Sequence, residues 1–258
     1  MRRALLLLAA PALAAQEPGA ITVNPNRPSF ANPATTTQPG VAELEFGLQQ
    51  SLPGDGGRSD TQPTLLKLGL TEHVELRLGW NGITRKRSAD GGRTTGGTDP
   101  SLGLTWRLLD QGAFGADVAL SAYRTWPRAS VAKGIGSGTA DQEAAFLVSK
   151  DFGDLHADLN VLETWAGQPG GGHVRQPAAA LAFGYKLRGP WSLGAELYAI
   201  GASAAGPRTL STLWNLAFQV SSRLVLDAGL DHGLNQDAPR WNRFVGLTWG
   251  VGHFLRPH

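Results

Sequence analysis

The chain reads as an all-β protein, a transmembrane antiparallel up-and-down β-barrel of about twelve strands. Three observations predict it: side-chain alternation that recurs along nearly the whole chain, long and short connections in strict turn, and tryptophans gathered near strand ends. In His73-Val74-Glu75-Leu76-Arg77-Leu78-Gly79-Trp80 the even positions are apolar and the odd ones are charged, polar or Gly. A strand sends successive side chains to opposite faces, so this run has one apolar and one polar wall. Behind a secretion signal, such a pattern predicts the apolar wall turned to lipid and the polar wall to a wet lumen.

Residues 1–14 read as a signal peptide: Met1-Arg2-Arg3, a short apolar run and an Ala-x-Ala site. The run is too short for a transmembrane helix, which needs roughly 20 residues. Residues 15–40 form a Pro/Asn/Thr-rich leader with no period, expected either to dangle in the periplasm or to fold into the lumen. Its prolines lack the N–H that a central strand must donate. The barrel is expected over 41–254, with 255–258 as a short tail.

Strands follow from the apolar parity. The first carries Ala42, Leu44, Phe46 and Leu48 against Glu43 and Glu45; the second carries Leu66, Leu68 and Leu70 against Lys67. The third is the run Val74 to Trp80. The fourth places Leu102, Leu104, Trp106 and Leu108 opposite Arg107, and the fifth Phe114, Ala116, Val118 and Leu120 opposite Asp117. In the sixth, around Ala144, Phe146 and Val148, Leu147 breaks the rhythm. The seventh to twelfth centre on Leu159, Phe183, Ala195, Leu216, Ala228 and Leu247, with His156, Asp158, Lys186, Glu196 and Asp227 on the polar side.

Long links follow odd-numbered strands, for example 52–62, 82–96, 127–138 and 167–177. Short ones such as Thr71-Glu72, Asp110-Gln111 and Ser221-Ser222 follow even-numbered strands. Outer-membrane barrels pair long extracellular loops with short periplasmic turns. An even strand number then leaves both termini periplasmic. Trp80, Trp106, Trp126, Trp165, Trp191, Trp214 and Trp241 fall near strand ends on the apolar parity, as an aromatic girdle would, and Trp249 does not.

The formal charge of +2 comes from 23 Lys+Arg and 21 Asp+Glu; without Arg2 and Arg3 the count is 21 against 21. No basic stripe suits a nucleic acid, and Arg85-Lys86-Arg87 reads as a solvated loop or as charge facing lipopolysaccharide. There is no cysteine, so no disulfide framework or thiol chemistry is available. Gly134-Ile135-Gly136-Ser137-Gly138 lacks the Lys-Ser/Thr of a phosphate loop and is not a nucleophile elbow. The histidines show no metal-ligand spacing, and no catalytic residue, metal or cofactor is expected. His156 with Asp158 shares one inward parity, an arrangement a polar lumen also produces by chance. The candidate site is therefore the inward wall: Glu45, Lys67, Glu75, Arg77, Arg107, Asp117, Asp158, Glu196 and Asp227, as constriction or as bracing.

Asn26-Arg27-Pro28-Ser29-Phe30, Gln38-Pro39-Gly40, Glu43-Leu44-Glu45-Phe46-Gly47 and Leu66-Lys67-Leu68-Gly69-Leu70-Thr71-Glu72 with Val74-Glu75-Leu76-Arg77 resemble a bacterial outer-membrane family. That family is labelled meta-pathway of phenol degradation, or simply transporter. The resemblance implies a barrel of about twelve strands that passes small, hydrophobic or aromatic compounds, and it implies Arg27 entering the lumen to meet Glu45 or Glu75. Ser29 departs from the family's acidic or small residue at that position, and the ending Phe254-Leu255-Arg256-Pro257-His258 departs from a terminal aromatic.

The expected function is passive passage of small molecules across the bacterial outer membrane, with the leader as plug or constriction. The alternatives are a barrel-type membrane enzyme and a structural or adhesive barrel with a closed lumen. The expected partners are outer-membrane lipid and lipopolysaccharide, the barrel-assembly machinery and a small-molecule permeant.

Overall fold

The computed structural model describes residues 19–255. The expected signal peptide, the first residues of the leader and the last three residues of the tail lie outside the described residues. The elements are β1 (Val41–Leu52), β2 (Arg58–Thr61), β3 (Thr64–Gly69), β4 (Val74–Trp80), β5 (Ile83–Arg87), β6 (Arg93–Gly97), β7 (Pro100–Leu109), α1 (Gln111–Phe114), β8 (Asp117–Thr125), β9 (Gln142–Phe152), β10 (Leu155–Gly167), β11 (His173–Lys186), β12 (Trp191–Ile200), β13 (Thr209–Ser221), β14 (Leu224–Gly233) and β15 (Trp241–His253).

Every pairing is antiparallel, the order runs β15 down to β7 and then β4, β3 and β1, and β15 closes on β1 with Leu44 opposite Trp249 and Phe46 opposite Leu247. Of the fifteen strands, twelve form the closed wall; β2, β5 and β6 continue β3, β4 and β7 beyond it as a flap. Closure leaves the twelve-strand wall without an edge, which is the condition for crossing a bilayer with strands, and the free edge, β6, lies beyond it in the flap.

The parity sorts as its chemistry requires. Phe46, Leu78, Leu104, Phe146, Leu159, Phe183, Leu216 and Val245 are exposed on the outer wall, while Glu43, Lys67, Glu75, Arg77 and Asn160 are buried inside. This is the inverse of a soluble core. The exposed apolar band far exceeds the few hundred Å² that a soluble monomer tolerates. Leu147, which breaks the alternation of its strand, points inward at 0% exposure and packs with Ala34, Ala119, Ala145, Leu162 and Ala178.

Four expectations need correction. Phe114 and Ala116 do not belong to a strand. The Asp110 carboxylate accepts from the Gly112 amide at 2.8 Å and Gly115 sits at φ +80°, so cap and stop make a helical turn and β8 starts at Asp117. The links 52–62 and 82–96 hold the flap strands. The link 167–177 shrinks to 168–172, because β11 begins at His173 and absorbs Pro177. Proline fits there because its missing N–H falls beyond Ile200, the last residue of β12, while its carbonyl accepts from Gly201 at 2.7 Å.

The fourth concerns tryptophan. Trp80, Trp126, Trp165 and Trp241 stand at the loop end, and Trp106 and Trp191 at the turn end. Trp249 joins the turn end, opposite Leu224, the first residue of β14. Trp214 lies mid-strand opposite Ala195 and Leu230, because β13 starts five residues earlier in a stretch without clean alternation.

Leu104 stands mid-strand between Leu76 and Ala122 on the outer wall. Leu104→Arg should lower folding stability in bilayers by about 2–4 kcal/mol, read from urea-dependent refolding into vesicles. An unchanged midpoint would mean that this wall does not face lipid.

Candidate functional site

A twelve-stranded wall encloses more space than its own side chains fill, unlike an eight-stranded one. Here residues 19–40 take up that space. The leader enters at the turn end, where the His253 Nε2 donates to the Gly19 carbonyl at 3.0 Å and the Val23 amide to the Ser222 carbonyl at 2.9 Å. It crosses the lumen and returns to β1 through Gly40, whose φ of +73° turns the chain. Ile21, Val23, Asn26, Ala31, Ala34 and Thr37 are buried against the wall.

Threading a chain through a closed barrel buries backbone N–H groups away from sheet partners, and each needs an acceptor. The wall supplies them from its inward side chains. The Asn24 amide donates to both oxygens of Glu43 at 3.2 Å, and the Asn26 amide donates to Glu45 at 2.8 Å. Glu196 accepts from the Ser29 hydroxyl at 2.9 Å and from the Phe30 and Ala31 amides at 3.0 and 2.6 Å. Asn160 meets Asn32 as a second backbone would, accepting its N–H at 2.7 Å and donating to its C=O at 2.9 Å. The Ala34 amide donates to the Ser149 hydroxyl at 2.7 Å, and the Thr37 amide to Glu75 at 2.6 Å.

The prolines complete this accounting. Pro25 lies between the anchored amides of Asn24 and Asn26, and Pro33 between those of Asn32 and Ala34. A residue without an N–H at those points leaves no orphan donor, and its fixed φ keeps the leader extended.

Charge is arranged around the same chain. Lys67 donates to Glu43 at 3.0 Å and Glu45 at 2.9 Å, and its third N–H is shared between the Asn24 carbonyl and the Asn26 side-chain oxygen. Arg77 pairs with Glu75 and donates to Asn32 at 2.9 Å and to the Tyr123 hydroxyl at 2.7 Å. Arg27 spans to Asp227 at 3.1 Å and to the Val245 carbonyl at 3.1 Å. Its guanidinium lies between Gly47 and Gly246, where a Cβ on either glycine would collide with it. The resemblance implied Glu45 or Glu75 as the partner of Arg27. Both are already engaged, Glu45 by Lys67 and Asn26 and Glu75 by Arg77 and Thr37, so the cation takes Asp227, which stands beside Gly246 two strands along the wall from β1.

Other expected residues lie nearer the turn end. Arg107 approaches Asp117 at 3.7 Å and Asp110 at 3.6 Å and donates to the Glu72 carbonyl at 2.9 Å. His156 sits between Asp151 at 2.6 Å and Asp158 at 3.0 Å. The Ser149 hydroxyl donates to Asp158 at 2.5 Å and accepts from Ala34, so it does not engage His156 as a nucleophile would engage its base.

Sequence reasoning missed the neutral partners: Asn160, Ser149, Tyr123 and the leader asparagines. Asn160 and Ser149 lie on the inward parity of their strands, but their value as acceptors for a crossing backbone depends on where the leader runs. Above the charged network an apolar patch sits among polar groups, where Phe30 stacks on Tyr198 with ring centroids 4.6 Å apart and packs beside the Leu147 cluster. The Tyr198 hydroxyl in turn donates to Asp231.

No protein-family model and no curated protein matches the chain. Solved structures do. An outer-membrane channel from Pseudomonas putida F1 superposes with a TM-score of 0.67 at 15% identity, over 88% of this chain and 99% of that one. The KdgM porin in complex with disordered oligogalacturonate gives 0.55 at 8% identity, over 81% and 99%. The CymD monoaromatic hydrocarbon channel gives 0.52 at 10%, over 84% and 90%. At these identities the likeness is one of fold.

Arg27→Ala leaves Asp227 buried without its cation, which should cost about 3 kcal/mol of folding stability, read from urea unfolding in detergent. Gly47→Ala should act in the same direction by displacing the guanidinium. Wild-type stability in both variants would show that Arg27 does not hold the leader in place.

Proposed function

We propose that the chain is a bacterial outer-membrane channel for passive movement of small molecules, aromatic ones included, with residues 19–40 as its constriction. One observation carries the reading: a closed barrel, apolar outside and polar inside, has its lumen occupied by its own N-terminal segment on side-chain hydrogen bonds. Such a segment narrows a pore without sealing the wall, and its contacts are of the kind that water replaces when it moves. The fold likeness to channels and porins supports this reading. The aromatic preference rests on the Phe30–Tyr198 stack and the apolar patch beside it, which offer a flat solute a surface that the charged lower lumen lacks.

Selectivity follows from the charge balance. Among the buried side chains of the described residues the carboxylates are Glu43, Glu45, Glu75, Asp117, Glu196, Asp227 and Asp231, against the cations Lys67 and Arg77. A ring of carboxylates favours cations and neutral solutes over anions. Removing the leader also removes Arg27, which deepens the imbalance.

Planar-bilayer recording tests the proposal. The full chain should conduct in small steps. Deletion of residues 19–40 should raise the step several-fold and shift the reversal potential towards cations. A baseline trace from both proteins would overturn the channel reading.

A further inference from the structure

The flap made of β2, β5 and β6 has two unlike faces. Thr84 is buried, and Lys86 donates to the Gly134 carbonyl at 2.7 Å, so these alternate positions face the long loop that follows β8. The intervening residues therefore face away from it, on the same side as the outer wall. The register places Arg58 opposite Arg87 and Arg87 opposite Arg93, three arginines side by side on three adjacent strands. One step below, Asp60 stands opposite Arg85. Gln50 lies opposite both Asp60 and Arg243, which brings the Arg243 of β15 to the same level.

Directly opposed residues in an antiparallel pair have Cβ atoms about 4.5–5.5 Å apart, and like charges there are destabilising. Only one carboxylate answers them. Arg58 donates to the two oxygens of Asp60 at 2.9 and 2.8 Å. Among the described residues Arg85, Arg87, Arg93 and Arg243 have no ion pair. Arg58, Asp60, Arg85 and Arg243 line a groove of about 440 Å³ whose apolar rim includes Leu48 and Val245, each about half exposed at the top of the apolar band. Unpaired guanidiniums above and exposed aliphatic surface below match an amphiphile with anionic oxygens above its chains. Guanidinium meets phosphate oxygens two at a time, which a scatter of counterions does not provide.

We propose that the outer face of this flap, with Arg243 beside it, docks the phosphate-bearing headgroup of an outer-leaflet glycolipid, whose acyl chains run down over Leu48 and Val245. The assignment rests on the outer-membrane reading, since it needs the loop end at the outer leaflet. It is independent of whether the lumen conducts.

The full chain in detergent is titrated with bisphosphorylated lipid A, with lipid A stripped of both phosphates, and with inorganic phosphate, and bound lipid is read by native mass spectrometry. The bisphosphorylated lipid should bind at one copy per chain. The stripped lipid should bind at least tenfold more weakly, and inorganic phosphate at equal concentration should not displace the bound lipid. The triple variant Arg85→Ala/Arg87→Ala/Arg93→Ala should lose at least tenfold in lipid binding, while Arg188→Ala at the turn end should not.

Arg87→Glu supplies a readout that does not depend on an alanine variant folding. It replaces two like-charge contacts with two opposite-charge ones, so it should raise the melting temperature in lipid-free detergent and yet weaken lipid A binding. Equal binding of stripped lipid, displacement by inorganic phosphate, or wild-type affinity in the triple variant would overturn the proposal. Conductance of the triple variant in phosphatidylcholine bilayers should equal wild type, so a failure of lipid docking and a failure of the channel reading stay distinguishable.

Discussion

A backbone threaded through a closed barrel must find acceptors for its N–H groups, and the inward carboxylates of this wall are those acceptors. Glu43, Glu45, Glu75 and Glu196 each hold at least one leader amide, and Asn160 and Ser149 serve between them. A hydrogen bond to a charged group contributes about 1.5–3 kcal/mol, roughly twice a neutral one. The arrangement also solves the opposite problem. Buried carboxylates without donors would be costly, and the leader amides are the donors that Lys67 and Arg77 cannot supply alone. Wall and leader are each incompletely satisfied without the other.

That mutual dependence shapes the lumen. The charged lower part is a dense network around Lys67, Arg77 and Arg27, in which the leader's asparagines take part as fully as the wall. Above it lies the apolar patch, with Phe30 carried there on the two amides that Glu196 accepts at Phe30 and Ala31. One short stretch, Arg27 to Ala31, thus spans from an ion pair with Asp227 to an aromatic stack on Tyr198. In the proposed channel a solute at this point would meet the leader as much as the barrel, and the leader would be where size and polarity are selected.

Much of the wall was legible in the sequence. The run Val74 to Trp80 is a strand with the predicted bounds, because a two-residue period admits no other regular structure. The parity of Glu75 and Arg77 against Leu76 and Leu78 sorted inside from outside correctly, since the cost of charge in lipid leaves no alternative. Leu147 spoiled the rhythm for a reason parity cannot hold: it faces Ala34 of the leader, and an apolar patch inside was not expected. The partner of Arg27 was illegible because Asp227 lies 200 residues away and its nearer rivals were already engaged. Arg85-Lys86-Arg87 looked like one basic cluster, whereas strand geometry divides it, with Lys86 against the loop that follows β8 and the two arginines on the opposite face. The flap itself hid in links too rich in Gly and charge to show alternation.

The direct test of the account is amide hydrogen exchange of the full chain in lipid nanodiscs, followed peptide by peptide through residues 19–40. If lumen side chains hold the leader backbone, the amides of Asn26, Ala31, Asn32, Ala34 and Thr37 exchange as slowly as those of the barrel strands. Exchange of those amides at the rate of the external loop after β8 would contradict it, because the leader would then not reside in the lumen.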